Sequence, residues 1–374
     1  PLQKRRRGMA SSEKRRASTS PSATALASTT TTTTSASSST NPTSSSPYFL
    51  PLVASRLTNL QDFFALRAAC RTYRDLIPPS PANLASQAPL LLFPRMASAS
   101  GALFHVPLRR ILRFRLPCTR LGRPTKFHSF GFRVSTQDRA GYDTCRELRI
   151  RHLLTGERAR LPDLPRPRDS EEVVFSGDLV VTFRKCCCVL YYCHIGDDHW
   201  QAVYCDVGHL PYDLMFVKGT LYALIYNYSH YRLAVVKLGK NSAVLSFLGD
   251  KLSVPEVNCP RFWLAERRRE LLLIVEVEFD PCVYHVFYLH SGKKKWERTT
   301  SLGGCSLFFN LHEFAGCLGP DHPAVRRDCL YFTGCSGKWS EYSLADGSYH
   351  EFVIDHPGRT EDYGSPVWVL PSIC

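Results

Sequence analysis

Gly177-Asp-Leu-Val-Val-Thr-Phe183, followed by Val189-Leu-Tyr-Tyr-Cys-His-Ile-Gly196-Asp-Asp-His-Trp200, sets a pattern that the rest of the chain repeats. A turn residue opens an apolar strand, a second apolar strand follows, and a glycine-bearing polar turn closes the unit. Gly219-Thr-Leu-Tyr-Ala-Leu224 with Tyr231-Arg-Leu-Ala-Val-Val-Lys-Leu-Gly239 is a second copy. Glu270-Leu-Leu-Leu-Ile274 with Tyr284-His-Val-Phe-Tyr-Leu-His-Ser-Gly292 is a third, and Asp328-Cys-Leu-Tyr-Phe332 with Trp339-Ser-Glu-Tyr-Ser-Leu-Ala-Asp-Gly347 a fourth. A fifth turn, Thr155-Gly156-Glu157, follows Leu148-Arg-Ile-Arg-His-Leu-Leu154 and precedes Leu161-Pro162. The turn glycines Gly156, Gly196, Gly239, Gly292 and Gly347 thus stand 40, 43, 53 and 55 residues apart. Periods of about 40 to 50 residues, with four strands in each, are those of propeller blades. A two-layer sandwich has no reason to repeat one turn at this interval. Dividing residues 95–374 by the period predicts a mainly-β fold, a β-propeller of about six blades.

The segments ahead of the repeats differ from it and from each other. Residues 1–46 open with Lys4-Arg5-Arg6-Arg7 and Lys14-Arg15-Arg16 and continue as a Ser/Thr/Ala tract almost devoid of aliphatic side chains. Such a tract cannot offset its ordering entropy and is expected to be a disordered tail. Its basic clusters fit a nuclear import signal, an organellar transit peptide or a solvated tail with no address.

Residues 47–77 read as two short helices. Leu50, Val53 and Leu57 share one helical face, and Asn59 caps a second helix whose stripe runs through Phe63, Leu66, Cys70, Tyr73 and Ile77 until Pro78-Pro79. Two such helices cannot bury their own apolar surface, so they need a partner or the neighbouring domain. Residues 78–94 read as a linker and 95–374 as the propeller.

Leu57-Thr-Asn-Leu-Gln-Asp62-Phe-Phe-Ala-Leu66-Arg67-Ala-Ala-Cys70-Arg71-Thr-Tyr73-Arg74 resembles the second half of a plant F-box. The family pattern has a leucine, an aspartate five residues on, then an apolar residue with Arg, a small pair, Cys and an aromatic-Arg pair. The chain departs from it at Tyr73, where tryptophan is usual, and at Ser45-Ser46, where Leu-Pro is usual. Behind it, the chain resembles the plant F-box-associated propellers grouped with kinase-interacting brassinosteroid regulators. The matching residues are His152-Leu-Leu-Thr-Gly156 with Leu161-Pro162, Gly196-Asp-Asp-His-Trp200, Val217-Lys-Gly-Thr-Leu-Tyr-Ala223 and Lys295-Trp296. They continue with Ser301-Leu302-Gly303 leading to Leu307-Phe308, Cys329-Leu-Tyr-Phe332, and Pro366-Val-Trp368-Val-Leu-Pro371-Ser372.

The resemblance implies a substrate-recognition subunit of a cullin-based SCF-type ubiquitin ligase. In it Pro47, Leu50, Val53, Leu57, Phe63, Leu66, Cys70 and Tyr73 bind a Skp-type adaptor, the cullin scaffold is reached through that adaptor, and the propeller holds an unknown protein substrate. Nucleus and cytoplasm are the compartments it implies, with an organellar propeller that has lost the adaptor as the alternative.

The remaining patterns carry little chemistry. No HxH, HExxH, Gly-x-Ser-x-Gly or phosphate-cradling loop occurs, and Asp197-Asp198-His199 falls in a hairpin turn, where Asp and Gly are favoured for backbone reasons. No catalysis, cofactor or metal is expected. Fifteen cysteines without an apolar leader point to free thiols in a reducing compartment, with Cys186, Cys187, Cys188 and Cys193 as buried structural thiols. Apolar runs such as Leu271–Val275 are far short of the roughly 20 residues that span a bilayer, so a soluble chain is expected.

The net charge of +14 is uneven: residues 95–168 carry +12, while residues 169 onward carry −6. Arg109, Arg110, Arg113 and Arg115 lie in the basic block, where Arg113 and Arg115 alternate with Phe114 and Leu116 as on one face of a strand. Three readings stand: charge protecting an edge strand, recognition of an acidic protein, and nucleic acid.

Overall fold

The computed structural model describes residues 49–94, 101–113, 124–130, 133–138, 148–164, 172–228, 230–252, 261–279, 282–290, 295–311, 313–334, 337–354 and 365–371. The tail read at 1–46 lies outside them. Three helices come first: α1 (Leu50–Ala54), α2 (Leu60–Ala68) and α3 (Arg71–Leu76).

The strands form the six sheets of a six-bladed β-propeller. The first, closing blade contains β1 (Leu90–Pro94), β2 (Gly101–His105) and β3 (Arg110–Ile111). The second contains β4 (Pro124–Phe130), β5 (Arg133–Asp138), β6 (Leu148–His152) and β7 (Arg158–Ala159). The third contains β8 (Glu172–Ser176), β9 (Leu179–Phe183), β10 (Val189–His194) and β11 (Gln201–Tyr204). The fourth contains β12 (Leu210–Val217), β13 (Thr220–Asn227), β14 (His230–Leu238) and β15 (Ala243–Leu252). The fifth contains β16 (Arg261–Arg267), β17 (Glu270–Phe279), β18 (Cys282–His290) and β19 (Lys295–Thr299). The sixth contains β20 (Ser306–Asn310), β21 (Glu313–Leu318), β22 (Cys329–Thr333), β23 (Lys338–Ser343) and β24 (Tyr349–Val353). Finally β25 (Val367–Val369) returns to pair antiparallel with β1, Leu91 opposite Trp368, so both ends of the ring are stitched into one blade.

Each of the four copies read from sequence is the middle hairpin of a blade: β9/β10, β13/β14, β17/β18 and β22/β23. The ring begins at Leu90, within the stretch read as linker. Burial explains why one blade after another follows the same rule. Along β13, Leu221, Ala223 and Ile225 pack with Phe183, Leu190 and Val203 of the third blade, while Leu224 packs with Phe262 and Leu273 of the fifth. Side chains alternate across a strand, so a sheet sandwiched between neighbours needs apolar residues on both faces. In β1, Leu90 and Leu92 likewise face the second blade and the helices, and Leu91 and Phe93 face the sixth blade.

The edge strands that contact one another from blade to blade line the axis: β8 lies against β12, β12 against β16, and β25 against β4. The sixth blade departs from its neighbours. β20 runs parallel to β22, and β21 folds back beside β20 into the axis, where it touches β16, β4 and β25. This fifth strand occupies space that the other five blades leave open.

Candidate functional site

The helices dock on the ring through Leu50, Ala54, Leu60, Phe63 and Ile77, which pack with Leu90, Leu92, Leu103, Val367 and Val369. Burying side chains of this size stabilises by roughly 2 kcal/mol each. Polar links fix the docking. Gln87 Nε2 donates to Leu57 O at 2.7 Å and Ala88 N to Thr58 O at 3.0 Å. His105 Nδ1 accepts from Leu108 N at 3.2 Å, which leaves the proton on Nε2, 3.1 Å from Thr58 O. Burial holds its pKa below the usual histidine value, in keeping with that neutral tautomer.

The helix expected from Asn59 to Ile77 is two helices. Asn59 caps the first, its Oδ1 accepting from Gln61 N at 3.0 Å, but the backbone of Cys70 is extended (φ −158°, ψ 170°). The Cys70 Sγ accepts from Tyr73 N at 3.4 Å and so starts α3.

This split redistributes the residues expected to bind an adaptor. Leu50 and Phe63 turn inward and are fully covered by the chain's own core, so they leave the accessible surface. Leu57, Leu66 and Tyr73 are half-buried against the same core, Val53 and Cys70 are exposed, and Pro47 lies outside the described residues. The outward apolar surface is instead Phe49, Leu52 and Val53 at α1, with Leu76 on α3, which contacts α1. Leu52 is 64% exposed. Sequence reading missed Phe49, Leu52 and Leu76 because these helices are apolar on more than one side, and periodicity alone does not tell which side meets the ring. Phe49 and Leu52, three apart, were the available signal.

The axis holds a cavity of about 230 Å³ between β8, β12, β16 and the inserted β21, lined by Glu172, Asp213, Lys218, Glu266 and Glu313. Asp213 sits at a bulge of β12, and burial pushes its pKa up to about 7. Its Oδ1 accepts from Leu214 N at 2.9 Å and its Oδ2 from Leu264 N at 2.7 Å, so the carboxylate joins the fourth blade to the fifth. Both oxygens are engaged by backbone, which makes it a brace. Among the described residues no group of three or more His, Cys, Asp or Glu is arranged to hold a metal ion.

The structure corrects two other expectations. Cys186, Cys187 and Cys188 form the turn between β9 and β10, with Cys186 exposed at φ 58°, whereas Cys193 is buried. The apolar run is interrupted there because Arg184-Lys185 begins the turn. Arg113 is exposed and follows β3 instead of lying in a strand, and Arg115 lies outside the described residues. Asp197-Asp198-His199 does form a turn, with Asp197 Oδ2 accepting from His194 N at 2.7 Å.

Several quoted motifs prove to be joints. Trp200 Nε1 donates to Pro162 O at 2.9 Å. Asp328 Oδ1 accepts from Ser301 Oγ at 3.0 Å, from Gly304 N at 3.2 Å and from Leu302 N, so the residue ahead of Cys329 shapes the Ser-Leu-Gly turn.

A closed ring of six blades carrying a small docked helical module is a scaffold of the interaction class, with loops and outer faces free to contact other molecules. The chain belongs to the KIB1-4 β-propeller family, whose model matches residues 103–364. The match starts within β2 and ends before β25, so it leaves out part of the closing blade. No curated protein matches the chain. Among solved structures, the chain is similar to one in a nidogen/laminin complex at 12% identity and TM-score 0.43, covering 76% of this chain and all of that one. It is also similar to a quinonprotein alcohol dehydrogenase-like protein from Bacteroides thetaiotaomicron at 8% identity and TM-score 0.38, covering 73% of this chain and 62% of that one. No helix among the described residues is long and apolar enough to cross a membrane.

Proposed function

We propose that this chain is the substrate-holding subunit of a cullin-based ubiquitin ligase, in which the helical module docks on a Skp-type adaptor and the propeller holds a target protein. The observation that carries the reading is the two-sidedness of the module. One side is locked onto the propeller through Leu60, Phe63 and Ile77, and the other offers Phe49, Leu52, Val53 and Leu76 to solvent. The F-box-like run from Leu57 to Arg74 supports the identity of the partner. The chain makes no bonds itself. It raises the effective concentration of target beside a ubiquitin-charged enzyme, in the nucleus or cytoplasm.

Because the module is fixed rigidly to the ring, a target on the propeller has a defined position relative to the adaptor. Co-purification with a Skp-type adaptor tests this. Leu52→Asp, at an exposed position, is expected to lower adaptor capture by at least about tenfold with the thermal midpoint unchanged, on the scale of a desolvated interface anchor. Undiminished capture by the variant would remove the proposal.

A further inference from the structure

The seam between the closing blade and the sixth blade carries a groove of about 610 Å³, within the size range of binding clefts. One wall is the turn from Val106 to Arg109 that joins β2 to β3. The other is the outer part of the sixth blade, with Arg326, Trp339 and Phe352. In the second, third and sixth blades the equivalent turn holds a glycine at positive φ: Gly156 (73°), Gly196 (102°) and Gly347 (69°). The closing blade holds Arg109 there, at φ 48°. A side chain in this region of backbone space costs on the order of 1–3 kcal/mol, and such outliers gather where a structure uses the residue they carry.

The side chain is held by stacked rings. The Arg109 guanidinium lies 5.6 Å from the centroid of Phe352. Phe352 stacks on Trp339 at 4.1 Å and 14°, Trp339 on Tyr331 at 6.2 Å and 29°, and Tyr331 on Phe308 at 4.8 Å and 9°. Beside them, Arg326 pairs through Nη1 with the buried Glu341 Oε1 at 2.5 Å, yet its side chain remains 51% exposed. The pair offsets both charges, and the exposed edge of Arg326 still offers N–H donors to the groove. Exposed His350 also lines the groove, and exposed Arg110 and Arg113 follow Arg109 in the chain. Phe308, Tyr331 and Trp339 lie in the core beneath, so the apolar surface that the groove presents is that of Pro107, Pro323, Val325 and Phe352, with Arg109 and Arg326 at its rim.

We infer that this groove is where the propeller takes its target, and that the occupant is an acidic peptide segment of a protein, its carboxylates on Arg109 and Arg326 and its apolar side chains against Pro107, Pro323 and Val325. The inference rests on the reading of the propeller as the target-holding half. Guanidinium is the group suited to carboxylate, because its donors engage both oxygens at once. Single-stranded nucleic acid fits less well. The ring faces are spent on one another and on Arg109, so they offer no open platform on which bases stack.

The test uses the purified full-length chain, a fluorescein-labelled peptide of about 12 residues with Asp/Glu interspersed with Pro and Phe, and an oligonucleotide of similar length, followed by anisotropy. Peptide binding is expected to weaken by at least about tenfold in Arg109→Ala, the scale of a lost charged contact in an interface. Arg109→Gly, which suits the turn and so keeps the fold, is expected to do the same, and Phe352→Ala to weaken binding by a smaller factor. Lys240→Ala, an exposed lysine at the β14–β15 turn, is expected to change it less than about twofold, as a surface charge remote from a site does. Equal losses from Lys240→Ala and Arg109→Ala, no peptide binding, or tighter Arg109-dependent binding of the oligonucleotide would each overturn the inference. Leu52→Asp separates the two readings. Loss of adaptor capture with peptide binding intact is the pattern that both predict for this variant. Wild-type chain that binds peptide at the groove but captures no adaptor would sink the ligase reading alone, and the reverse would sink the groove alone.

Discussion

The closing blade and the three blades opposite it are assembled by different routes. The third, fourth and fifth blades are each one contiguous stretch of four strands, ordered by hairpin turns. The closing blade assembles β1 to β3 with β25, whose residues are separated by most of the chain. Local contacts form at small entropic cost, while the β1–β25 pairing closes a loop of nearly the whole ring. The contiguous blades hold themselves together through their hairpins, whereas the seam is held by side-chain packing across it. Its inventory agrees: Trp368 is fully buried, packs edge-on to Phe308 at 5.0 Å, and donates its backbone N–H to the side chain of Asn310 at 2.8 Å.

The largest effect that would break this contrast comes from Trp368→Ala, expected to destabilise the whole ring by about 3–5 kcal/mol in urea titration. A loss under about 1 kcal/mol would mean that the seam is not where the ring is held. Next is the brace between the fourth and fifth blades. The folded pKa of Asp213 is raised to about 7, above the ordinary aspartate value of 3.8. The folded state therefore holds more protons than the unfolded chain between those values, and stability falls as pH rises through about 4 to 7, by up to about 1.4 kcal/mol per unit from this group. Asp213→Asn is expected to flatten that slope in urea midpoints taken across the window; an identical slope in the variant would assign it elsewhere.

Smaller effects sharpen the comparison at the turns. Gly196→Ala, at φ 102°, is expected to cost about 1–2 kcal/mol by thermal unfolding, because alanine resists that backbone. Arg109→Gly should do the opposite, raising stability by up to about 1 kcal/mol as it relieves the seam turn. If it lowers stability, the φ of 48° carries no strain.

The same contrast explains what the sequence showed. Contiguous blades announce themselves, because Gly177, Gly219 and their successors mark hairpins that close within a few residues. The closing blade is silent for two reasons: its strands come from the two ends of the ring, and its turn carries Arg109 where a glycine would be expected. β21 was hidden in a different way. Glu313-Phe-Ala-Gly-Cys-Leu318 reads as an ordinary strand, and only tertiary contacts with β16 and β4 send it into the axis. At the helices, the apolar stripe was legible but its direction was not. Leu50 and Phe63 go inward because Leu90, Val367 and Val369 offer them a surface, and strands so far along the chain leave no trace in the local pattern.

Val367 and Val369, on the last strand, lie in the same core as Leu60 and Phe63 of α2. The seat of the helical module is therefore part of the seam itself, and whatever loosens the β1–β25 pairing also unseats the helices.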